Sequence, residues 1–208
     1  MNEPVRRSPL SSAHRELGAV LDREADWELV ASYRDEEAER ALLTDAVALV
    51  DVTPRGKIDV RGAIDPPLST AGDALTARIS AEWALVLSEP GGEEVLVPKM
   101  ESAAGTSAMV TDATHLFVGF ALAGPALPVI LERLTSWDPG TLEPGKATGA
   151  PIADVRAVLV RRDLEVPVLE AYVATEFARY AWETVLDAVR RTDGGPAGWN
   201  ALRSRGWS

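Results

Sequence analysis

The sequence has 208 residues, 46% hydrophobic and 25% charged, so we expect one large globular domain or two small ones. Its formal net charge of -11 argues against broad binding to nucleic acid, because phosphate-backbone contacts require clustered Lys and Arg side chains. Cysteine is absent, which excludes disulfides, thiolate catalysis and cysteine-ligated zinc or iron–sulfur sites.

The N-terminal residues 1–9 are polar, and we expect them to form a flexible terminus. Arg6 and Arg7 are not followed by an apolar stretch, so we do not expect this segment to be a signal peptide. No window of the chain approaches the ~20 apolar residues that a membrane-crossing helix needs. We therefore expect a soluble, cytoplasmic protein without a membrane partner.

The first hundred residues mix helical and strand patterns. Apolar spacing and capping residues predict helices over 14–22, 35–44, 74–79 and 98–104. Alternation predicts strands over 27–33, 83–87 and 94–97, the last two joined as a hairpin by Pro90-Gly91-Gly92.

One strand–turn–strand pattern occurs twice, over residues 48–62 and again, more weakly, over 108–124. Each copy has an apolar run, an Asp with Thr two residues later, a second apolar run and a closing Gly. A repeated unit indicates two related halves in one fold. We expect these halves at about residues 10–105 and 106–208 of a single domain, 10–208.

The remaining chain continues the same mixture. Patterns predict helices over 125–134, 176–191 and 199–203, and strands over 152–161 and 166–174 with a turn at Arg161-Arg162-Asp163. Strands outnumber helices without strict alternation of the two. The predicted fold class is α+β with mostly antiparallel sheets.

Phosphate-loop, dinucleotide and GxSxG motifs are absent from the sequence. His14 and His115 are far apart, and neither has a partner at metal-ligand spacing. We therefore expect no histidine-based metal site, and we expect His115 to be a turn or interface residue.

Asp51 and Asp112 occupy matching places in the two repeated units. Each carboxylate either faces a ligand or accepts a hydrogen bond from its own backbone two residues later. Thr53 and Thr114, which follow at that spacing, favour the second, structural interpretation.

Glu170 interrupts the apolar run of residues 166–173. In an alternating strand it shares a face with Val168 and Tyr172. An inward carboxylate must be paired or hydrogen-bonded, and it could hold an amine- or pterin-like donor group. An outward, solvated Glu170 fits the sequence equally well.

Six tryptophans supply large aromatic anchors. Trp27, Trp83 and Trp182 are expected in the core. Trp199 and Trp207 lie near the C-terminus, and the sequence does not decide whether they are core or interface residues.

Many short matches in a fixed order connect the N-terminal part of the chain to a known family. They are Ser8-Pro9-Leu10, His14 with Leu17-Gly18-Ala19, Trp27-Glu28, Leu43-Thr44-Asp45-Ala46 and the continuous segment from Asp51 to Gly62. In these segments the chain resembles the glycine-cleavage T-protein (aminomethyltransferase) family.

The later half shows a related likeness. Its segments are 82–87, 122–126, Asp138 with Pro144-Gly145 and Thr148, and 172–182 with Tyr172, Phe177 and Trp182. They are similar to the gamma subunit of heterotetrameric sarcosine oxidase, a short relative of the T-protein.

The resemblance implies a T-protein-like folate-binding fold with two pseudo-symmetric halves. It implies tetrahydrofolate as a ligand, with no metal and no covalently bound cofactor. The match of residues 169–173 places Glu170 on the carboxylate that faces the pterin ring in that family.

The departures from the family concern its catalytic parts. The segment between Gly62 and Trp83 is far shorter than in the T-protein, so the family's catalytic Asp and folate-stacking Tyr have no counterpart here. Residues 162–165 replace its Tyr-Thr-Gly turn, and we expect no C-terminal barrel domain.

Three hypotheses follow from the resemblance. The first is an accessory, non-catalytic subunit of a sarcosine-oxidase-like complex, with flavoprotein oxidase subunits as partners. The second is a stand-alone tetrahydrofolate or one-carbon binding protein, and the third is an active aminomethyltransferase.

Overall fold

The computed structural model of the chain describes residues 4–33, 35–162 and 164–207. Its strands are β1 (Arg6–Arg7), β2 (Val20–Glu24), β3 (Trp27–Ser32), β4 (Ala48–Asp51), β5 (Gly56–Gly62), β6 (Leu75–Ser80), β7 (Trp83–Ser88), β8 (Ala108–Asp112), β9 (Phe117–Ala123), β10 (Ala147–Ile152), β11 (Val155–Arg162), β12 (Val168–Ala174) and β13 (Gly195–Pro196). Its α-helices are α1 (Ser11–Glu16), α2 (Glu36–Asp45), α3 (Asp65–Leu68), α4 (Glu93–Ala104), α5 (Leu127–Leu134), α6 (Ala178–Arg190) and α7 (Trp199–Arg203).

The strands form three sheets. A six-stranded sheet has the order β10-β11-β12-β9-β4-β13, a four-stranded sheet β6-β7-β5-β8, and a three-stranded sheet β1-β3-β2. Only the short pairings β13–β4 and β1–β3 are parallel among the described strands. The predicted α+β class with mostly antiparallel sheets is confirmed.

The six-stranded sheet separates two hydrophobic cores. On β12, Leu169, Ala171 and Val173 face one core, which also contains the apolar sides of α5 and α6. Val168 and Tyr172 face the other core, which lies against β6, β7 and α7. This division follows from the alternation of side chains along a strand.

Each strand of one repeated unit pairs with a strand of the other unit. The first unit is β4 and β5 and the second is β8 and β9, yet β4 pairs with β9 and β5 pairs with β8. The turns match as well: the Gly119 amide donates to Thr53 Oγ1 at 3.2 Å, and the Lys57 amide donates to Thr114 Oγ1 at 3.0 Å. The predicted pseudo-symmetry is therefore visible in the hydrogen bonds.

The N-terminal segment differs from the flexible terminus expected over residues 1–9. Arg6 and Arg7 pair with β3, and the Arg6 guanidinium lies 2.6 Å from Asp26 and 2.7 Å from Glu93. Ion pairs and strand pairing thus hold Arg6 and Arg7 in place, whereas Met1–Glu3 lie outside the described residues.

Three predicted elements in the first half are wrong. The helix predicted over 14–22 ends at Glu16, because Gly18 turns the chain with φ +80° and β2 then pairs with β3. Residues 74–79 form strand β6 rather than a helix, since they pair with β7. Residues 94–97 belong to helix α4 rather than to a hairpin strand, and Glu93 and Glu94 stand in its first turn.

The predicted turn at Arg161-Arg162-Asp163 is shifted. Strand β11 continues to Arg162, and Asp163 lies outside the described residues.

Within the part of the chain that the structure describes, no helix is long and apolar enough to cross a membrane.

Candidate functional site

Glu170 lies in the middle of β12 and is fully buried. Its side chain shares a strand face with Val168 and Tyr172, which belong to the core between the six-stranded and four-stranded sheets. Of the two arrangements that the sequence left open, the structure has the inward one.

Four side chains donate to the Glu170 carboxylate. Oε1 accepts from Arg162 at 2.6 Å, from the Trp207 indole N–H at 2.7 Å and from Arg55 at 3.3 Å. Oε2 accepts from the Tyr172 hydroxyl at 2.5 Å. One negative charge thus lies between two guanidinium groups, and every donor comes from this chain.

The electrostatics of this Glu170 cluster follow from burial and from the two arginines. Burial alone would raise the pKa of Glu170, but the charges of Arg55 and Arg162, with the hydrogen bonds from Tyr172 and Trp207, hold it below its ordinary value. The pKa of Tyr172 is raised by burial and then by the neighbouring carboxylate. Glu170 is therefore ionised, and the Tyr172 phenol remains a donor.

The four donors come from four different places along the chain. Arg55 stands in the turn between β4 and β5, Arg162 at the end of β11, Tyr172 on β12 and Trp207 after α7. Only Tyr172 was predictable as a neighbour of Glu170, because it is two residues further along the same strand. The other three carry no local sequence signal for this contact.

Two cavities touch the cluster. One of about 700 Å³ is lined by Tyr172 together with Arg61, Trp83 and Phe117. Another of about 490 Å³ is lined by both arginines of the cluster, with Asp73, Leu87 and Glu89 on its wall. The cluster therefore has open space beside its tyrosine and beside its arginines.

A second buried polar group joins His14, Asp51 and Tyr33. His14 Nε2 lies 2.7 Å from Asp51 Oδ2, and His14 Nδ1 lies 2.7 Å from the Tyr33 hydroxyl. Burial alone would raise the pKa of Asp51, but the hydrogen bond and charge of His14, together with hydrogen bonds from Ser8 and Thr53, hold it below its ordinary value. Burial, then the charges of Asp51 and Glu39, raise the pKa of Tyr33. No local sequence pattern connects His14 to Asp51 or Tyr33, because these residues meet only in the fold.

Asp51 and Asp112 also make the backbone bonds expected of them. Asp51 Oδ1 accepts from the Thr53 amide and Asp112 Oδ1 from the Thr114 amide, each at 2.9 Å. These bonds support the structural interpretation of both residues.

Lys57 is completely buried beside this second group. Its Nζ donates to two carbonyl oxygens, of Thr53 at 2.7 Å and of Arg55 at 2.8 Å. Burial lowers its pKa to about 7.

His115 is exposed and lies in the turn before β9, where its ring stacks on Trp27 with centroids 5.7 Å apart. No group of three or more His, Asp or Glu side chains suited to a metal ion occurs among the described residues.

Comparison with curated proteins finds aminomethyltransferases, whereas no protein-family model matches the chain. The chain is 26% identical over 217 residues to the aminomethyltransferase of Streptomyces coelicolor, covering 88% of this chain and 57% of the relative. It is also 26% identical over 226 residues to that of Geobacillus kaustophilus, covering 95% and 62%. The chain thus spans about three-fifths of the length of these relatives.

Solved structures show the same likeness in three dimensions. The glycine cleavage system aminomethyltransferase T from Bartonella henselae superposes with a TM-score of 0.80 at 18% identity, covering 97% of this chain and 62% of that chain. A chain of heterotetrameric sarcosine oxidase from Corynebacterium sp. U-96 superposes with a TM-score of 0.61 at 16% identity, covering 75% of this chain and 91% of that chain. The chain is thus similar in sequence to aminomethyltransferases, and it has the fold of the T protein.

Proposed function

We propose that the chain is an accessory, non-catalytic subunit of a sarcosine-oxidase-like complex that oxidises an N-methyl amino acid. The observation that carries this proposal is the Glu170 carboxylate, which ion pairs and hydrogen bonds of its own chain hold in the ionised form. A general base needs a pKa near the working pH. Glu170 has a lowered pKa and already accepts from four donors of its own chain.

The size of the matched chains supports the same proposal. The likeness to the sarcosine oxidase chain extends over 91% of that chain, whereas it leaves more than a third of the T protein unmatched. A subunit of this kind would act with flavoprotein oxidase subunits, and we place it in the cytoplasm with them.

An exposed apolar patch offers a surface for such a partner. Leu116 is 59% exposed, Phe177 43% and Tyr180 50%. The Thr175 amide donates to the Leu116 carbonyl at 3.0 Å, which holds the turn before β9 against the start of α6. Neighbouring exposed apolar side chains of this size are typical of surfaces that a partner covers.

Co-purification of the natively expressed chain tests the proposal. We expect it to elute with flavoprotein subunits, and we expect the double variant Leu116→Ser, Phe177→Ser to elute without them. The matched control is Val129→Ser, which removes an apolar side chain that is also 50% exposed, on α5. Elution of the unaltered chain alone at its mass of 22.2 kDa would refute the subunit hypothesis.

The second candidate is a tetrahydrofolate or one-carbon binding protein that acts by binding. The contact between Glu170 and Trp207 favours it, because the carboxylate already accepts an N–H from a planar bicyclic ring. A pterin is also a planar bicyclic ring with N–H donors. Calorimetry with tetrahydrofolate should give binding that Glu170→Ala removes, and absence of binding at millimolar ligand would exclude this function.

A further inference from the structure

The cavity of about 700 Å³ lies between the four-stranded and the six-stranded sheet. Its walls come from β5 and β7 of the first sheet and from β9, β10, β11 and β12 of the second. The lining side chains are apolar or aromatic, except for the two cations Arg61 and Arg156. Cavities that hold small molecules in proteins have volumes of about 300–1,000 Å³ and combine apolar walls with a few polar groups. This cavity has both properties.

The two arginines stand on strand faces that are turned toward the opposite sheet. On β11, Arg156 shares a face with Val158, which belongs to the core between the sheets, because side chains two residues apart point the same way. On β5, Arg61 is the direct partner of Trp83 on β7, and Trp83 packs against that same core. The two guanidinium groups therefore border the cavity from opposite sheets.

Arg61 is held in one orientation by two neighbours. Its guanidinium carbon lies 3.9 Å from the centroid of the Trp83 ring, and its Nε donates to Asp59 Oδ2 at 2.9 Å. Asp59 Oδ1 accepts from the Trp83 indole N–H at 2.8 Å, so one carboxylate positions both side chains. The Nη groups of Arg61 have no hydrogen-bond partner among the described residues, and the side chain is 45% exposed. A guanidinium fixed in this way can donate to both oxygens of a carboxylate.

Arg156 adds a positive charge that no counter-charge balances. Its side chain makes no hydrogen bond or ion pair within the part of the chain that the structure describes. Because Asp59 balances the charge of Arg61, the cavity carries the single positive charge of Arg156, although the whole chain has a net charge of -11. One positive charge matches a carboxylate better than a phosphate ester, whose charge at pH 7 is about -1.5 to -2.

We propose that this cavity is a binding site for a small molecule that has a planar apolar ring and one carboxylate. The carboxylate binds to Arg156 and to the Nη groups of Arg61, and the ring packs on Trp83 and Phe117, because aromatic side chains pair favourably with planar rings. Tyr172 offers only its ring, since its hydroxyl already donates to Glu170. The site is separate from the Glu170 carboxylate and depends on neither function proposed above.

Calorimetry with 2-naphthoate tests the site, with the neutral isostere 2-naphthamide as the comparison ligand. The unaltered chain should bind 2-naphthoate saturably and about tenfold more tightly than 2-naphthamide, because only the carboxylate pairs with the guanidinium charges. Absence of 2-naphthoate binding at millimolar concentration, or equal affinity for the two ligands, would overturn the proposal.

Two variants locate the bound ligand. Arg156→Gln should weaken 2-naphthoate binding about tenfold, because it removes the unbalanced charge. The matched control is Arg133→Gln, which changes an exposed arginine on α5, across the six-stranded sheet, and should leave the affinity unchanged. Gly149→Leu puts a side chain into the cavity, with its Cβ 3.8 Å from the Trp83 ring, and should abolish binding while both arginines remain. An unaltered affinity in Arg156→Gln or in Gly149→Leu means that the ligand binds elsewhere, and the proposed site is then wrong.

Nuclear magnetic resonance of the unaltered chain gives a result that does not depend on the folding of a variant. Bound 2-naphthoate should shift the indole N–H resonance of Trp83, which lines the cavity, and should leave that of Trp182, buried in the other core, in place. Saturable binding without a shift at Trp83, or with an equal shift at Trp182, contradicts the proposed site.

Discussion

Replacing Glu170 by Ala should destabilise the fold strongly. The substitution removes the ion pair between Glu170 and Arg55, whose side chain is 2% exposed, and it removes the acceptor of two neutral donors. Removing one partner of a buried ion pair costs about 3–5 kcal/mol, and an orphaned buried donor adds to that cost. For a chain of this length we expect the melting temperature to fall by about 6–20 °C.

Chemical denaturation followed by circular dichroism measures this loss. Glu170→Gln keeps an acceptor but removes the charge, so the free energy of unfolding that this variant loses measures the contribution of the ion pairs. The control is Glu183→Ala, which breaks an exposed pair with Arg179 on α6 and should leave the unfolding midpoint unchanged within error. A loss below about 1 kcal/mol for Glu170→Ala, with an unchanged denaturant slope, would refute the electrostatic reasoning.

The pH dependence gives an independent check. The pKa of Glu170 is lower in the folded chain than its ordinary value of 4.5, so the folded state binds fewer protons at this group than the unfolded state. Its stabilisation is therefore complete above pH 4.5 and disappears as the pH falls through the folded pKa. The unaltered chain and Glu170→Gln should converge in stability toward acid pH.

Three further substitutions probe other parts of the structure. His14→Ala removes a hydrogen-bond partner from both the Asp51 carboxylate and the Tyr33 phenol, so denaturation should show a loss of about 2 kcal/mol or more, whereas exposed His115→Ala should show little change. Lys57 has a folded pKa of about 7 against 10.5 unfolded, so stability should rise with pH between these values, and Lys57→Met should flatten that slope in urea titrations at pH 7–10. Gly119→Ala would bring a Cβ to 2.7 Å from a buried tyrosine ring and should cost about 1–3 kcal/mol, whereas Gly149→Ala, with 3.8 Å of clearance, should be tolerated.

The sequence predicted those parts of the fold whose signal is local. Asp35 caps α2 as expected, with its side chain accepting from the amides of Glu37 and Ala38. The Asp–Thr spacing of the two turns likewise predicted their backbone bonds. Such hydrogen bonds join residues that are at most a few positions apart, so the local sequence is enough to predict them.

Packing overrode local preference elsewhere. Residues 94–97 have β-branched and apolar side chains typical of a strand, but they form α4 because Met100 and Ala104, four residues apart, bury one helical face against the four-stranded sheet. β6 shows the opposite case, since pairing with β7 made a strand of a segment with helical spacing.

Most neighbours of Glu170 in the candidate site could not be predicted from the local sequence either. Alternation along β12 placed Glu170 and Tyr172 on one face, but it did not decide which face is buried. Arg55 and Trp207 are 115 and 37 residues from Glu170 along the chain, so only the fold brings them together. The pairing of His14 with Asp51, also 37 residues apart, was missed for the same reason.

The exchange of strands between the two repeated units has a consequence for how the chain folds. A break near Gly105 would leave the first fragment without β8, the edge strand beside β5, and the second without β4, which lies inside the six-stranded sheet. The four-stranded sheet would be incomplete in the first fragment and the six-stranded sheet in the second, so each fragment would expose an unpaired strand edge. We expect such fragments to aggregate when made separately and to reassemble when made together, and we expect the intact chain to unfold in a single transition.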